Sequence, residues 1–254
     1  MDVFTKNKHR IVVLVFLIGL GLLYYFNGAI IYWIIWALCF LITEFCGAYF
    51  IQLNFHLQAA NKLNTAKPSI MLSFDDGPHA KNTPLVLDVL ETHQVKAVFF
   101  LIGKNIQEQE EIVKQIVAKG HLIGNHSFSH HHLIDTWSSK KVLNDLTQCQ
   151  QLIHQYQAQS LLFRPPFGVT NPRISKVVKQ LQLHTIGWNI RSYDTSTQNI
   201  SKIKQRILNK LRPNSIILLH DRLDIMPELL NELIPEIKKR GFEFSIELPK
   251  STND

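Results

Sequence analysis

The sequence predicts an α/β chain: a distorted (β/α) barrel preceded by N-terminal transmembrane helix or helices. Three observations predict it. Strand-like and helix-like stretches alternate about seven times after residue 68, and such alternation builds a mainly parallel sheet with helices outside it. Polar residues of catalytic type close the strand-like runs (Asp75, Asp76, His126, Arg164, Asp194, His220), and in a barrel the site collects at the C-terminal strand ends. Residues 11–43 carry no charge.

That uncharged run comes first. A helix rises about 1.5 Å per residue and the hydrocarbon layer is about 30 Å thick, so the run, roughly 50 Å as one helix, is too long for a comfortable single span. Asn27-Gly28 is its only strong turn signal. Two short spans are therefore expected, about Ile11 to Phe26 and about Ala29 to Ile51. Glu44 must lie near an interface or face the partner helix, because an ionised carboxylate in hydrocarbon is costly. A signal peptide fits the basic start but has a shorter apolar core and a prompt cleavage site, so the segment reads as a retained anchor, with the bacterial cytoplasmic membrane as its expected seat. Lys6, Lys8 and Arg10 should stay cytoplasmic. Two spans then leave the following domain cytoplasmic, whereas one or three place it outside; the sequence leaves that parity open.

Charge and cysteines exclude some classes. Lys and Arg number 27 against 20 Asp and Glu, and the excess is diffuse. Short clusters such as Lys140-Lys141 and Lys238-Lys239-Arg240 suit solvated helix faces, so no nucleic-acid partner is expected. Three cysteines make no disulfide framework.

Residues 1–51 thus form the anchor, 52–67 a polar connector, and 68–250 the catalytic domain. In the domain, 70–74 is strand-like. Pro84 belongs to the first turn of a helix reaching about His93, where its missing N–H costs little. Residues 96–102 form a strand and 106–119 a helix stopped by Gly120. A short strand at 122–123, a helix over 138–157, a strand at 161–163 and a helix over 171–183 follow. Then come a strand over 185–190, a helix over 200–211, the apolar strand 215–219 ending on His220, a helix over 225–240 and a last strand over 242–248.

The chemistry begins at SFDDGP, residues 73–78, where a greasy strand ends on two adjacent carboxylates. His126 and His130 in HSFSH are four apart and would face the same way on one helical turn, with His131 and His132 leaving the register ambiguous. Asp76 at a neighbouring strand end completes two His and one carboxylate, leaving positions open as a hydrolytic Zn²⁺ site needs. Asp75 is then free to take a proton from the activated water. Arg164 would hold Asp75 ionised. His220 is a candidate general acid, with Asp194 to orient it.

These residues resemble the polysaccharide deacetylases of the NodB-homology type, carbohydrate esterase family four. The motifs run in order from about Pro68 to Leu248: SFDDGP, HSFSH (126–130), RPPFG (164–168), WNIRSYD ending at Asp194, and IILLH ending at His220. The resemblance implies a catalytic base at Asp75 and metal ligands at Asp76, His126 and His130. It implies that Arg164 tunes Asp75, that the backbone N–H of Phe167 helps hold the oxyanion, and that His220, backed by Asp194, protonates the leaving amine. It further implies a divalent metal, Zn²⁺ first among transition ions, and an N-acetylated amino-sugar substrate, from polymer to lipid-linked sugar. Three departures stand out. Ser73 replaces a commoner Thr, Phe167 a usual Tyr, and Thr195 stands where a Trp often walls the sugar groove, with Trp188 or Trp137 as candidate substitutes. The expectation is a membrane-anchored, metal-dependent N-deacetylase. The rivals are a tethered, inactive carbohydrate-binding protein and a Mg²⁺ phosphotransferase; the second should show D-x-D spacing or a phosphate loop, and the chain has neither.

Overall fold

The structure, a computed structural model, describes residues 7–248. Lys6 and the last two residues of the expected domain lie outside them. The uncharged run forms two helices, α1 (Lys8–Tyr25) and α2 (Ile30–Tyr49). They turn back at Asn27, whose φ of 48° is left-handed, and Gly28 donates to the Leu23 carbonyl at 2.8 Å. Phe16 stacks on Phe40 at 4.1 Å, and the Trp36 indole donates to the Phe16 carbonyl at 3.0 Å. A Cβ on Gly19 would lie 2.3 Å from the Trp36 ring, so glycine is what lets the helices approach there. Both helices are long and apolar enough to cross a membrane. Leu17, Ile18, Leu22, Ile31, Leu38 and Leu41 are exposed, an apolar surface that water would disfavour. The second helix stops two residues before the expected Ile51, because Ile51–Leu53 turns into the domain and buries Ile51 in its core.

The sheet is built from β1 (Ser69–Gly77), β2 (Val98–Leu101), β3 (Leu122–Asn125), β4 (Leu162–Phe163), β5 (His184–Thr185), β6 (Ile190–Arg191) and β7 (Ser215–His220). All pair in parallel, in the order β5-β4-β3-β2-β1-β7-β6, and β8 (Glu243–Phe244) joins the start of β1. The intervening helices are α3 (Asn82–Thr92), α4 (Gly103–Glu108), α5 (Glu110–Ala118), α6 (Ser139–Tyr156), α7 (Pro172–Gln180), α8 (Ile200–Lys210) and α9 (Met226–Lys239).

Three elements differ from the sequence reading. The single helix expected over 106–119 breaks at Gln109, whose φ of −133° is not helical. The strand expected over 185–190 is split, since β5 and β6 sit at opposite ends of the sheet; the residues between them close the curl without a ladder. The connector supports that closure, Ala60 bridging to Ile186 and Lys62 to Ser215. The last strand is reduced to two residues paired with β1.

One apolar layer lies between the sheet and helices such as α3, α5 and α9. A second fills the curl with Met71, Phe100, Trp188, Ile216 and Leu218. The register aligns the strand ends. Asp75 lies opposite His220, Leu101 opposite Asn125, and Asn125 opposite Phe163. His126 and Arg164, each one residue further along, therefore arrive at the same rim.

Candidate active site

Successive strand residues point to opposite faces, so two adjacent carboxylates reach one site only if the backbone turns. It does so at Asp76, whose φ of 71° is left-handed. Asp76 Oδ1 then lies 3.6 Å from His126 Nε2 and 3.3 Å from His130 Nε2. Asp75 Oδ2 is 3.8 Å from His126 Nε2, and Asp75 Oδ1 accepts from Arg164 Nη1 at 2.7 Å.

His126 and His130 do not share a helical turn. Ser127 and His130 have φ of 67° and 46°, so the segment is a tight loop. Asn125 Oδ1 accepts from the Ser127 amide at 2.8 Å, Asp145 accepts from the Phe128 and Ser129 amides, and Ser127 Oγ from the His130 amide. These side chains supply the partners that helical carbonyls would have supplied, and they hold strain that L-residues otherwise avoid. His131 and His132 stack on each other, and His131 meets the Trp137 ring at a tilt of 39°, outside the cluster.

The donor set fits a metal ion. The three ligand atoms lie within 4.8 Å of one another. Ligands about 2.0–2.1 Å from a tetrahedral ion are separated by roughly 3.3 Å, close to the two distances to Asp76. His126 Nδ1 is 2.8 Å from the Arg164 carbonyl; a carbonyl can only accept, so Nδ1 carries the proton and Nε2 is left for a ligand. Burial pushes the Asp76 carboxyl up, but the hydrogen bond and charge of His126, with His220 and His130, outweigh it and hold it well below the carboxylate range. Burial, aided by His126, pulls His130 down to about 4, so it is neutral near pH 7. Burial also lowers His126, yet the charges of Asp75 and Asp76 raise it overall.

Arg164 is fully buried. It donates through Nε to the Ile186 carbonyl and through Nη2 to the Gly187 carbonyl, at 3.0 and 2.9 Å, with its guanidinium 4.1 Å from the centre of the Phe100 ring. Each of its three nitrogens donates to one of these partners, which fixes the guanidinium against Asp75. On the other side His220 Nδ1 is 2.8 Å from Asp194 Oδ1, while its backbone N–H donates to Asp194 Oδ2 at 2.8 Å. Burial lowers the His220 pKa, but the hydrogen bond to Asp194 and the site carboxylates raise it overall. A raised pKa keeps the imidazolium charged to higher pH, which suits a proton donor. Asp194→Asn removes the main raising partner, so an activity limb that needs protonated His220 is expected to move to lower pH; an unchanged pH–rate profile would count against that pairing.

Asp75, Asp76, His126, His130, Phe167 and His220 share a cavity of about 210 Å³ with Trp188, Arg191, Thr195 and Arg222. Arg164 and Asp194 stand behind its wall. Phe167 is half exposed, has a left-handed φ of 59°, and sets its ring 4.7 Å from that of His130. A second cavity of about 680 Å³ also reaches Thr195 and Arg222, so the groove continues past the position where a tryptophan often stands. Trp188 lines the site from the core, while Trp137 lies under Lys141 away from it.

Two residues next to His220 were missed by sequence reasoning. Arg222 Nε donates to Asp76 Oδ2 at 3.0 Å, freeing Oδ1 for the histidines. Asp221 is fully buried and accepts from Thr83 Oγ1 at 2.5 Å; burial pushes its pKa up to about 7. A Cβ on Gly77 would fall 2.5 Å from its carboxylate, so this glycine admits Asp221 beneath the carboxylate pair. The one signal available was the polar run His220-Asp221-Arg222 closing an apolar strand.

A curled parallel half-barrel with a two-His, one-Asp cluster between a carboxylate and a histidine has the parts of a metal-assisted hydrolase. Comparison with known proteins gives the family. The polysaccharide deacetylase family profile matches residues 62–186. A peptidoglycan-N-acetylglucosamine deacetylase of Bacillus cereus is 32% identical over 180 residues, 69% of this chain and 84% of that protein. A chitooligosaccharide deacetylase of Azorhizobium caulinodans is 34% identical over 167 residues, 65% of this chain and 79% of that protein. The crystal structure of a peptidoglycan N-acetylglucosamine deacetylase in complex with a benzamide ligand superposes with a TM-score of 0.69 at 30% identity, covering 74% of this chain and 89% of the other. The chain belongs to the polysaccharide deacetylase family, and it is an enzyme of that type.

Proposed function

We propose that this chain is a membrane-anchored, metal-dependent deacetylase that removes N-acetyl groups from an amino sugar. The observation that carries the reading is the three-donor cluster of Asp76, His126 and His130 set between Asp75 and His220. A divalent ion held by those three, most simply Zn²⁺, would polarise the acyl oxygen and acidify a water molecule. Asp75, held by Arg164, takes a proton from the attacking water. Phe167 contributes its backbone N–H to the oxyanion. His220, steered by Asp194 through Nδ1, gives a proton to the departing amine as the C–N bond breaks and acetate leaves. The intact set of ligands and proton carriers favours an enzyme over an inactive sugar-binding protein of the same fold. Purified protein given N-acetylglucosamine oligomers should release acetate and lose that activity on chelation; neither oligomers nor a lipid-linked N-acetylated sugar yielding acetate would overturn the reading.

The anchor is proposed as a hairpin crossing the membrane twice. The start of α1 and the end of α2 meet, His9 Nδ1 lying 3.0 Å from Glu44 Oε1, so both leave the bilayer on one face. With Lys8 and Arg10 on the cytoplasmic side, the catalytic domain is cytoplasmic too. The Thr170 amide donates to the Ala48 carbonyl in the last turn of α2 at 2.9 Å, and Phe167 precedes Thr170 by three residues, at most about 10 Å of chain. The cavity mouth is thereby held near the bilayer, which favours a membrane-proximal substrate such as a lipid-linked sugar over a distant polymer. Single cysteines at Val3, Gly28 and Lys67, with Cys39, Cys46 and Cys149 replaced, are expected to react with an impermeant reagent from one side for positions 3 and 67 and from the other for 28. Opposite sidedness of 3 and 67 would rule out the hairpin.

A further inference from the structure

Away from the catalytic cavity, the described residues contain one other group of three metal-type donors within 4.8 Å of one another: His9, Glu44 and His56. We infer that they form a second divalent-metal site, a clasp joining α1, α2 and the segment that enters the catalytic domain. Each ligand comes from a different element, and the three meet where the hairpin leaves the apolar layer. His9 Nδ1 is 3.0 Å from Glu44 Oε1 and His56 Nε2 is 3.7 Å from Glu44 Oε2. The second separation is too long for a hydrogen bond but near the roughly 3.3 Å edge of a tetrahedral ion's ligand set. The two imidazole rings lie 4.8 Å apart, the arrangement seen for His126 and His130 at 4.9 Å.

The His56 side chain is 2% exposed, so its ring is held in place at the junction. Glu44 supplies the one anionic ligand, which accounts for a carboxylate in an otherwise uncharged helix. Two imidazoles and a carboxylate suit Zn²⁺. His9 and His56 also line a cavity of about 580 Å³ with Arg10, Lys176 and Lys179. That cavity admits a fourth donor, and its cations favour an anion over a second ion beside the first.

Metal content of the full-length protein in detergent, reconstituted with Zn²⁺ and passed through a desalting column, tests the clasp independently of the deacetylase reading. About two ions per chain are expected for the unmodified protein. About one is expected for the His9→Gln/His56→Gln pair, and about one for the His126→Ala/His130→Ala pair. Glu44→Gln, which keeps the side-chain shape, should lose the same ion as the first pair and bring down the thermal midpoint of the loaded protein. Full retention of two ions by both Glu44→Gln and the His9→Gln/His56→Gln pair, or a single ion in the unmodified protein that only His126→Ala/His130→Ala removes, would overturn it. If the catalytic reading alone were wrong, the catalytic pair would keep its ion while the clasp variants still lost theirs. Co²⁺ substitution gives a second readout: tetrahedral ligand-field bands should persist in the catalytic-pair variant and vanish when Glu44→Gln is added.

Discussion

His126→Ala and His130→Ala proteins are expected to lose the ion of the catalytic cluster and to release no acetate above background. Both imidazoles point Nε2 at the same Asp76 oxygen, at 3.6 and 3.3 Å, so removing either leaves two donors in an open site. A bound metal supplies several kcal/mol of transition-state stabilisation, and each 1.36 kcal/mol is tenfold in rate, so losses of roughly 1,000-fold or more follow. Elemental analysis against acetate release checks both halves; variants that keep their metal would sink the ligand assignment. Acid should mimic the mutation. The folded pKa of His126 is raised, so protons begin to compete with metal above its ordinary value near 6.5, and affinity falls as pH drops through that range. The stability term has the matching sign. In metal-free protein, protonated His126 stabilises the fold fully below its unfolded pKa, and that contribution is lost as pH rises through the raised folded value.

The two apolar helices and the polar strand-end rim were legible because their signals are local. Thirty-odd uncharged residues interrupted by Asn27-Gly28 have few folded forms, and a polar residue closing an apolar strand points to a strand-end site. What stayed hidden depends on contacts distant in sequence. Nothing local says that 185–190 must part into β5 and β6; the split follows from the two strands lying at opposite ends of one sheet. The four-residue spacing of His126 and His130 suggested a helical turn, yet Asp145, brought in by α6, accepts the loop amides and fixes a left-handed path instead. Asp221 carries no local signal of burial in the sequence and is a buried acid under Gly77. Glu44 stands in the sequence only as a costly carboxylate that must sit near an interface, and only the folded hairpin brings His9 and His56 to it.

Asp75→Asn separates the base from the ligand beside it, and it is expected to keep the catalytic metal while losing turnover by roughly 100-fold or more, the usual contribution of a general base. The metal should stay because Asp76, not Asp75, offers its oxygen to both histidines. The fold should stay for a more particular reason. Arg164 is buried with two donors committed to the Ile186 and Gly187 carbonyls and the third to Asp75 Oδ1, and stripping a buried charge of its partner costs about 3–5 kcal/mol. An asparagine oxygen still accepts from Nη1 at that position, so most of the geometry survives, whereas Asp75→Ala would lose both the partner and the base and confuse stability with catalysis. What asparagine cannot do is take a proton at neutral pH. Substrate affinity should change little, since the lost function appears only as the water is deprotonated, and the defect should fall on kcat rather than KM. A metal-loaded Asp75→Asn enzyme with normal turnover on an N-acetylated amino sugar would refute the role. One that had lost its metal would instead move Asp75 from the proton-transfer step to the ligand set.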